Sequence, residues 1–393
     1  MSEPLALEGL RVLDFSRLLP GPYASLVLAD LGADVVKVEA REGGDYLRFM
    51  PPLTGKVSYA FAALNAGKRS IALDLKHPDG AKLAFDLAMK ADVLIESFRP
   101  GVMARLGLGY EALSAANPGL VYCAISGFGQ DGPLADAAGH DLNYASLGGA
   151  IGLAGPAAGA PAVPPIQMAD FGGALWGLVG ILAAVERRHK TGRGGFVDIS
   201  MTDAVLAYLS AALAPHLGGG AAPPARGEDT LTGGQPCYAV YETADGGFMA
   251  LAALEPKFWG AFCLAAGRPD LMRRQYGDAR LGAELEALFR SRPRAAWEAA
   301  FAGTDACCTP VLGPDELAAS ALHEARRNVI TDAAGLRRVR TPVRPVDAPP
   351  PGRAPGLGAD TRAVLAELGL DDAAIDALVA AKVVTDGGAG GAV

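Results

Sequence analysis

Two short stretches hold the residues whose types and spacing could do chemistry. Gly139-His140-Asp141-Leu142-Asn143-Tyr144 sets an imidazole beside a helix start, because Asp141 or Asn143 can cap the helix that follows. Met168-Ala169-Asp170-Phe171-Gly172-Gly173 sets a carboxylate just before two glycines and a long apolar helix. Free backbone amides at such helix starts favour developing negative charge. One base from each stretch, with amide dipoles between them, suits proton transfer next to a carbonyl. Taken singly, each residue also has an ordinary use. His140 is one of five histidines in an apolar chain, and Asp170 could simply cap its helix. Glu255, in Leu254-Glu255-Pro256-Lys257-Phe258-Trp259, could be a first-turn acid beside a proline.

The elements that must position these groups read as an α/β protein. Leu10–Phe15 is strand-like, Ser16–Pro22 a loop, Tyr23–Leu31 a helix closed by Gly32, and Asp34–Glu39 a second strand. An acid ending the second strand of such a β-α-β unit invites a dinucleotide reading. The loop Arg17-Leu18-Leu19-Pro20-Gly21-Pro22 argues against it, since it is not GxGxxG and its two prolines remove amides that would cradle a pyrophosphate. Strands at 70–75, 92–96, 121–126 and 195–200 alternate with helices at 79–90, 172–189 and 202–217, which predicts a parallel sheet covered on both faces. Gly218–Arg226 is rich in Gly, Ala and Pro and marks a hinge. Beyond it, strands at 238–242 and 248–254 flank the turn Asp245-Gly246-Gly247, and helices at 257–266, 282–291 and 293–303 complete a smaller α+β unit. A Pro-rich stretch, Thr341–Leu357, leads to closing helices at 361–368 and 373–381, with a Gly-Ala tail from Asp386 expected to be mobile. The expected division is 1–217 and 326–393 for a large Rossmann-like domain, 218–231 for a linker and 232–325 for a small domain.

Composition narrows the function. The 393 residues are half apolar and carry a net charge of −8, which disfavours a nucleic-acid protein that works by neutralising phosphates. Met1-Ser2-Glu3-Pro4 lacks the basic and apolar regions of a secretory signal, and the apolar run Gly172–Val185 is short for a membrane span. The expectation is a cytoplasmic protein with no membrane partner. Cys123, Cys237, Cys263, Cys307 and Cys308 are odd in number, lack paired CxxC spacing and are expected to pack as small hydrophobes, with no metal site.

Several segments together resemble one family. They are Leu18-Leu19-Pro20-Gly21-Pro22, Asp30–Glu39, Asn65-Ala66-Gly67-Lys68-Arg69-Ser70, Ala91–Gly101, the Gly-His-Asp of 139–141, and Ala253–Phe258. The chain is similar to the family III CoA-transferase/α-methylacyl-CoA racemase superfamily from about residue 8 to 370. The resemblance implies a Rossmann-like large domain, a smaller α+β domain, and an interlocked homodimer. It also implies a role for the Asp170 position in two chemistries. In transferases that aspartate is a nucleophile forming an acyl-enzyme, which moves CoA between an acyl-CoA and a free carboxylate. In racemases it is one of two bases, the other being the histidine of the Gly-His-Asp motif, and the pair inverts the α-carbon of 2-methyl-branched acyl-CoA thioesters through an enolate. His140 favours the racemase form. The backbone amide of Asp141, at the helix start, is the candidate donor to the enolate oxygen, and the resemblance pairs Glu255 with the histidine.

Coenzyme A enters as part of the substrate, with no tightly bound cofactor expected. Lys68, Arg69, Arg99 and Arg105 are expected on loops near the carboxyl edge of the sheet, where α/β proteins bind ligands. Ser97 and Phe98 are expected on the same wall, with Arg41 and Gly139 also contributing. Met168, Trp176, Tyr208, Leu254 and Trp259 could wall an acyl groove, though core packing accounts for them equally well. A third reading, a CoA-binding protein without catalysis, requires His140 and Asp170 to lie apart or be blocked.

Overall fold

The computed structural model describes residues 4–387, so Met1–Glu3 and the tail from residue 388 lie outside it. The chain forms two compact units. Among the described residues the first comprises 4–148, 166–208 and 321–387, and the second comprises 149–165 and 209–320. This division differs from the expected one: the linker of 218–231 falls inside the small unit, and the return to the large unit begins at 321 rather than 326. Residues 149–165 belong with the small unit, and the chain leaves the large unit after Tyr208 rather than after 217. The helix expected over 202–217 is accordingly two helices, Met201–Tyr208 and Ser210–Gly219, with Pro215 inside the second.

The large unit is built on six parallel strands: β1 (Arg11–Asp14), β2 (Asp34–Ala40), β3 (Arg69–Leu73), β4 (Val93–Glu96), β5 (Val121–Ser126) and β6 (Gly195–Ser200). Their order across the sheet is β3-β2-β1-β4-β5-β6, with Val384–Thr385 added antiparallel to β3. The sequence order therefore reverses between β1 and β4, and ligands of such sheets bind outside the carboxyl ends at that switch point. The added edge strand is not legible in the sequence, being two residues beside the tail.

Helices cover both faces. Pro78–Met89 and the closing helices Thr361–Glu367 and Asp372–Ala380 bury Leu83, Leu87, Val364, Leu365 and Ile375 against Leu13, Val36, Ile71 and Leu94. The other face carries α1 (Pro20–Asp30) and the long helix Met168–Thr191. Proline at the first position of α1 is favourable because its missing N–H would be unpaired there anyway, so the helix begins at Pro20 and not at Tyr23. The long helix meets the length and hydropathy of a membrane span, yet it packs on β5, β6 and α1. Its glycines make that approach possible. A Cβ at Gly180 would sit 2.5 Å from Val197 Cγ1, and one at Gly177 would sit 3.1 Å from Ile125 Cδ1.

Charges are buried at the carboxyl ends of β1 and β2. Asp14 accepts from the Ser16 amide at 2.9 Å and from the hydroxyls of Ser16 and Ser25. The Lys68 ammonium lies 3.3 Å from Asp14 and donates to Pro22 O and Asn65 Oδ1. Lys37 pairs with Asp45 at 3.0 Å, and Arg48 pairs with Glu39 at 2.6 Å. Burial alone would raise the Asp14 carboxyl, but Lys37 and Lys68, with the two serines, outweigh it and hold it at about 2. Glu39, the acid that invited a dinucleotide reading, is 4% exposed and also accepts from Ser70 Oγ, so its oxygens are taken.

The small unit has its own core. The strands Tyr238–Glu242, Phe248–Ala252 and Cys308–Pro310 form an antiparallel sheet, and Trp259, Phe262, Phe289, Trp297 and Phe301 stack beneath it. Trp259 is thus a core residue, its indole donating to Leu271 O at 3.0 Å. Four cysteines are buried as expected, while Cys307 is exposed, and all five are free thiols.

The buried Glu39–Arg48 pair gives a stability prediction. Arg48→Met leaves Glu39 without its partner and should cost roughly 3–5 kcal/mol in denaturant unfolding. A loss under about 1 kcal/mol would show that Glu39 reaches water or takes a proton.

Candidate active site

Four further helices of the large unit enter the description of its sites: α2 (Pro78–Met89), α3 (Val102–Arg105), α4 (Tyr110–Ala116) and α5 (Asp141–Leu147). His140 is the N-cap of α5. Asn143 Oδ1 accepts from the His140 amide at 3.1 Å, which fixes the backbone at this turn. The imidazole belongs to an exposed residue. Below it the motif is held by Tyr144, whose hydroxyl donates to Gly139 O and whose ring lies against Gly127 and Gly139. A Cβ would come within 2.3 Å of that ring at Gly127 and 2.6 Å at Gly139, so both positions need glycine for steric reasons. This is where Gly139 acts in the structure.

Asp170 is the third residue of α6 (Met168–Thr191), whose N-cap, Gln167, offers no side-chain bond. The cap comes from elsewhere. Asp141 Oδ1 accepts from the amides of Ala169 at 2.7 Å and Asp170 at 3.1 Å. One residue thereby starts α5, caps α6 and joins His140 to Asp170. Its own backbone N–H, the first of α5, makes no hydrogen bond among the described residues and is free to meet an oxyanion. Asp170 is pushed up to about 7, chiefly by burial and secondly by the Asp141 carboxylate. The Tyr144 phenol is raised as well, by burial first and then by Asp170, while Arg99 works in the opposite direction. A carboxyl that titrates near neutrality can both take and give a proton.

Glu255 lies in the second unit, at the N-cap of the helix Pro256–Ala265, with its carbonyl accepting from the amides of Phe258 and Trp259.

A cleft of about 450 Å³ opens at the carboxyl edge of the large unit, lined by Arg17, Arg41, Lys76, Phe98 and Arg105 among others. Arg17 is held between two rings, with its guanidinium 5.2 Å from Phe98 and 5.3 Å from Tyr46, and its amide donates to Ser97 Oγ at 3.2 Å. Arg41 pairs with Glu42, and its Nε is buried without a partner. Four cations against Glu42 and Asp74 make the cleft attractive to an anionic group. Arg41, Phe98 and Arg105 thus meet around one opening, Ser97 supports it through the Arg17 amide, and Arg99 acts electrostatically on Tyr144.

Lys68 and Arg69 require correction. They stand at the start of β3 and do not follow a strand, so their backbone lies at its amino end. The Lys68 ammonium is sealed against Asp14, and Arg69 is spent on Asp34 at 2.5 Å and Glu367 at 2.6 Å. Arg17 and Lys76 are cleft residues that the sequence reading misses. Both closely follow strands at the carboxyl edge, and that position is the available signal. Of the suggested acyl-groove residues in the large unit, Trp176 and Tyr208 are about half exposed.

The raised Asp170 carboxyl has a measurable consequence. The native state holds its proton up to about pH 7 and the unfolded chain releases it near 4, so stability falls as pH rises through that window. Asp170→Asn should therefore melt higher than the parent at pH 8, with the gap closing by about pH 4. A gap constant with pH in thermal melts would refute the raised value. Asp141→Ala should cost about 1–2 kcal/mol through the lost cap.

Comparison with known proteins places these features. The family model for CoA-transferase family III matches residues 7–361. The chain is 37% identical to the alpha-methylacyl-CoA racemase of Mus musculus over 388 residues, 97% of this chain and 98% of that protein. It is 33% identical to the acetyl-CoA:oxalate CoA-transferase of Acetobacter aceti over 362 residues, 89% of this chain and 91% of that protein. Among solved structures, a CAIB/BAIF family protein from Brucella suis matches with a TM-score of 0.82 and 31% identity, covering 93% of this chain and 100% of that one. The parallel sheet, its switch-point cleft and the full-length similarity agree: the chain is a member of CoA-transferase family III and has that family's fold.

Proposed function

We propose that the protein inverts the α-carbon of 2-methyl-branched acyl-CoA thioesters. The observation that carries this reading is the Asp141 carboxylate bonded to the Asp170 amide, which brings a histidine and a near-neutral carboxyl to one place. The similarity to a racemase along nearly the whole chain supports it. In this mechanism one base removes the proton α to the thioester carbonyl, the electron pair moves into the carbonyl as an enolate, and the other base returns a proton to the opposite face. The free N–H of Asp141 holds the enolate oxygen. CoA lies with its phosphates among Arg17, Arg41, Lys76 and Arg105. Glu255 orients His140, from the same or a partner chain. Apolar side chains left exposed on α5 and α6, including Leu147, Leu175, Trp176 and Val179, suit burial in the interlocked homodimer.

A second reading is CoA transfer between an acyl-CoA and a free carboxylate through an Asp170 acyl-enzyme. What favours it is the transferase relative at 33% identity, because the aspartate would serve either chemistry.

One experiment separates them. In deuterated buffer without an acceptor acid, a single enantiomer of a 2-methylacyl-CoA should take up deuterium while losing optical purity. Trapping of an acyl group on Asp170 by hydroxylamine, with no deuterium uptake, would instead establish the transferase. His140→Ala and Asp170→Ala should each lower inversion by about 10²–10⁴-fold with CoA affinity little changed, and inversion at the parent rate in either would remove the two-base assignment.

The pH profile is equally specific. The active enzyme carries one proton shared between the two bases, so kcat/KM should be bell-shaped with the same limbs for both enantiomers. Asp141→Asn, which removes the charge beside Asp170, should move the Asp170 limb to lower pH. An unmoved profile would show that burial alone sets Asp170.

A further inference from the structure

A second cavity, of about 440 Å³, lies in the large unit and is lined in part by Glu96 of β4, Met103 of α3, Tyr110 of α4, Tyr122 of β5, Gln130 and Phe196 of β6. It belongs neither to the motif around His140 nor to the basic cleft. Met103 and Ala104 line it, whereas Val102, Arg105 and Leu106 line the basic cleft, so the short helix α3 has a cavity on each side.

Its polar groups lack partners. Glu96 is 4% exposed, and its Oε2 accepts from the Phe98 amide at 2.7 Å. Its other oxygen makes no hydrogen bond, and no cation pairs with it, among the described residues. Tyr122 is 2% exposed, and its hydroxyl likewise has no partner among the described residues. Gln130 Nε2 is buried and unpaired. Buried polar groups are nearly always satisfied in folded proteins, so the buried Gln130 amide, beside an unpaired carboxyl oxygen and phenol that line the same opening, marks a missing occupant. The wall beside them is aromatic. The rings of Tyr110, Tyr122 and Phe196 lie 5.1 to 5.9 Å apart, and Phe196 is 41% exposed on the edge strand.

Charge selects the occupant. No basic side chain lines the cavity, while Glu96 and Glu111 do, and Asp198 stands close by with its carboxylate on the Gln130 amide at 3.2 Å. Phosphates and carboxylates are therefore disfavoured. Burial first, and Asp198 after it, push the Glu96 carboxyl up to about 7, so it is available in its protonated form, which donates and accepts side by side. The partner of such a carboxyl is an N–H next to a ring nitrogen, and the partner of the three rings is a flat π-face.

The geometry points to a second small-molecule site in this cavity, taking a planar, uncharged or weakly basic nitrogen heterocycle that presents an N–H donor beside a ring-nitrogen acceptor. The site is independent of the racemase or transferase reading.

The test uses the full-length protein and two probes in calorimetric titrations. 2-Aminopyridine has the donor–acceptor edge, and 2-methylpyridine keeps the ring and nitrogen but lacks the donor. The expected result is saturable binding of 2-aminopyridine, one per chain, at least about tenfold tighter than 2-methylpyridine and unaffected by saturating CoA. Glu96→Leu should erase the tenfold preference, and Phe196→Ala, at a half-exposed position, should weaken both probes together. The absence of saturable binding, as expected of a cavity that holds only water, would overturn the proposal. So would equal binding of the two probes by the parent protein, or displacement of 2-aminopyridine by CoA, which would make the cavity part of the CoA cleft.

Discussion

Six buried charges at the carboxyl ends of β1 and β2 organise the large unit. Asp14, Lys37, Asp45, Glu39, Arg48 and Lys68 are each less than 5% exposed, and each has an opposite charge beside it. Isolated, any of them would be very costly to bury. Their directional bonds also shape the loops. Asp45 accepts from the amide of Leu18, a residue in the left-handed region at φ 63° that non-glycine residues adopt only when held there. Arg48 reaches Pro355 O, which ties the returning chain to the same cluster. The loop presenting Arg17 to the basic cleft is therefore a consequence of charge pairing beneath it.

Asp141 plays the corresponding part for His140 and Asp170. A helix start leaves N–H groups without partners, and α6 meets this need with a carboxylate from another helix. The arrangement acts on Asp170 in two ways. The amides that would have steadied its ionised form are occupied, and a second negative charge is fixed nearby. Together with burial, this gives a carboxyl poised near neutrality. The cap and the electrostatic setting of Asp170 are one interaction.

A carboxyl held near neutrality suits proton transfer and nucleophilic attack alike. As a base it exchanges a proton, and as a nucleophile it attacks a thioester. Next to the Asp141 that bonds the Asp170 amide, this chain has a histidine at the N-cap of α5, its backbone held by Asn143 and by Tyr144 through Gly139. Gly127 and Gly139 admit the tyrosine ring, so two glycines with no chemistry of their own settle where the histidine sits.

Much of this is legible in the residues. The alternation of apolar runs locates the parallel strands and most helices to within a few positions, because strand and helix periods are local properties. The motifs containing His140 and Asp170 are equally visible, since residue type and a nearby helix start suffice to mark a base. Lys68 and Arg69 are not, because a lysine on a loop reads the same whether it meets solvent or Asp14, and only the packing of β1 against β2 and β3 buries it. Arg17 escapes notice because the prolines of its loop speak to backbone donors and not to the sheet edge that the loop occupies. The sequence by itself thus determined the element types, the sheet class and the candidate bases, all of which depend on neighbours along the chain. Tertiary structure alone decided which charges are buried in pairs, that Asp141 caps a helix 28 residues away, and that Asp170 titrates near neutrality, since burial and electrostatic fields depend on neighbours in space.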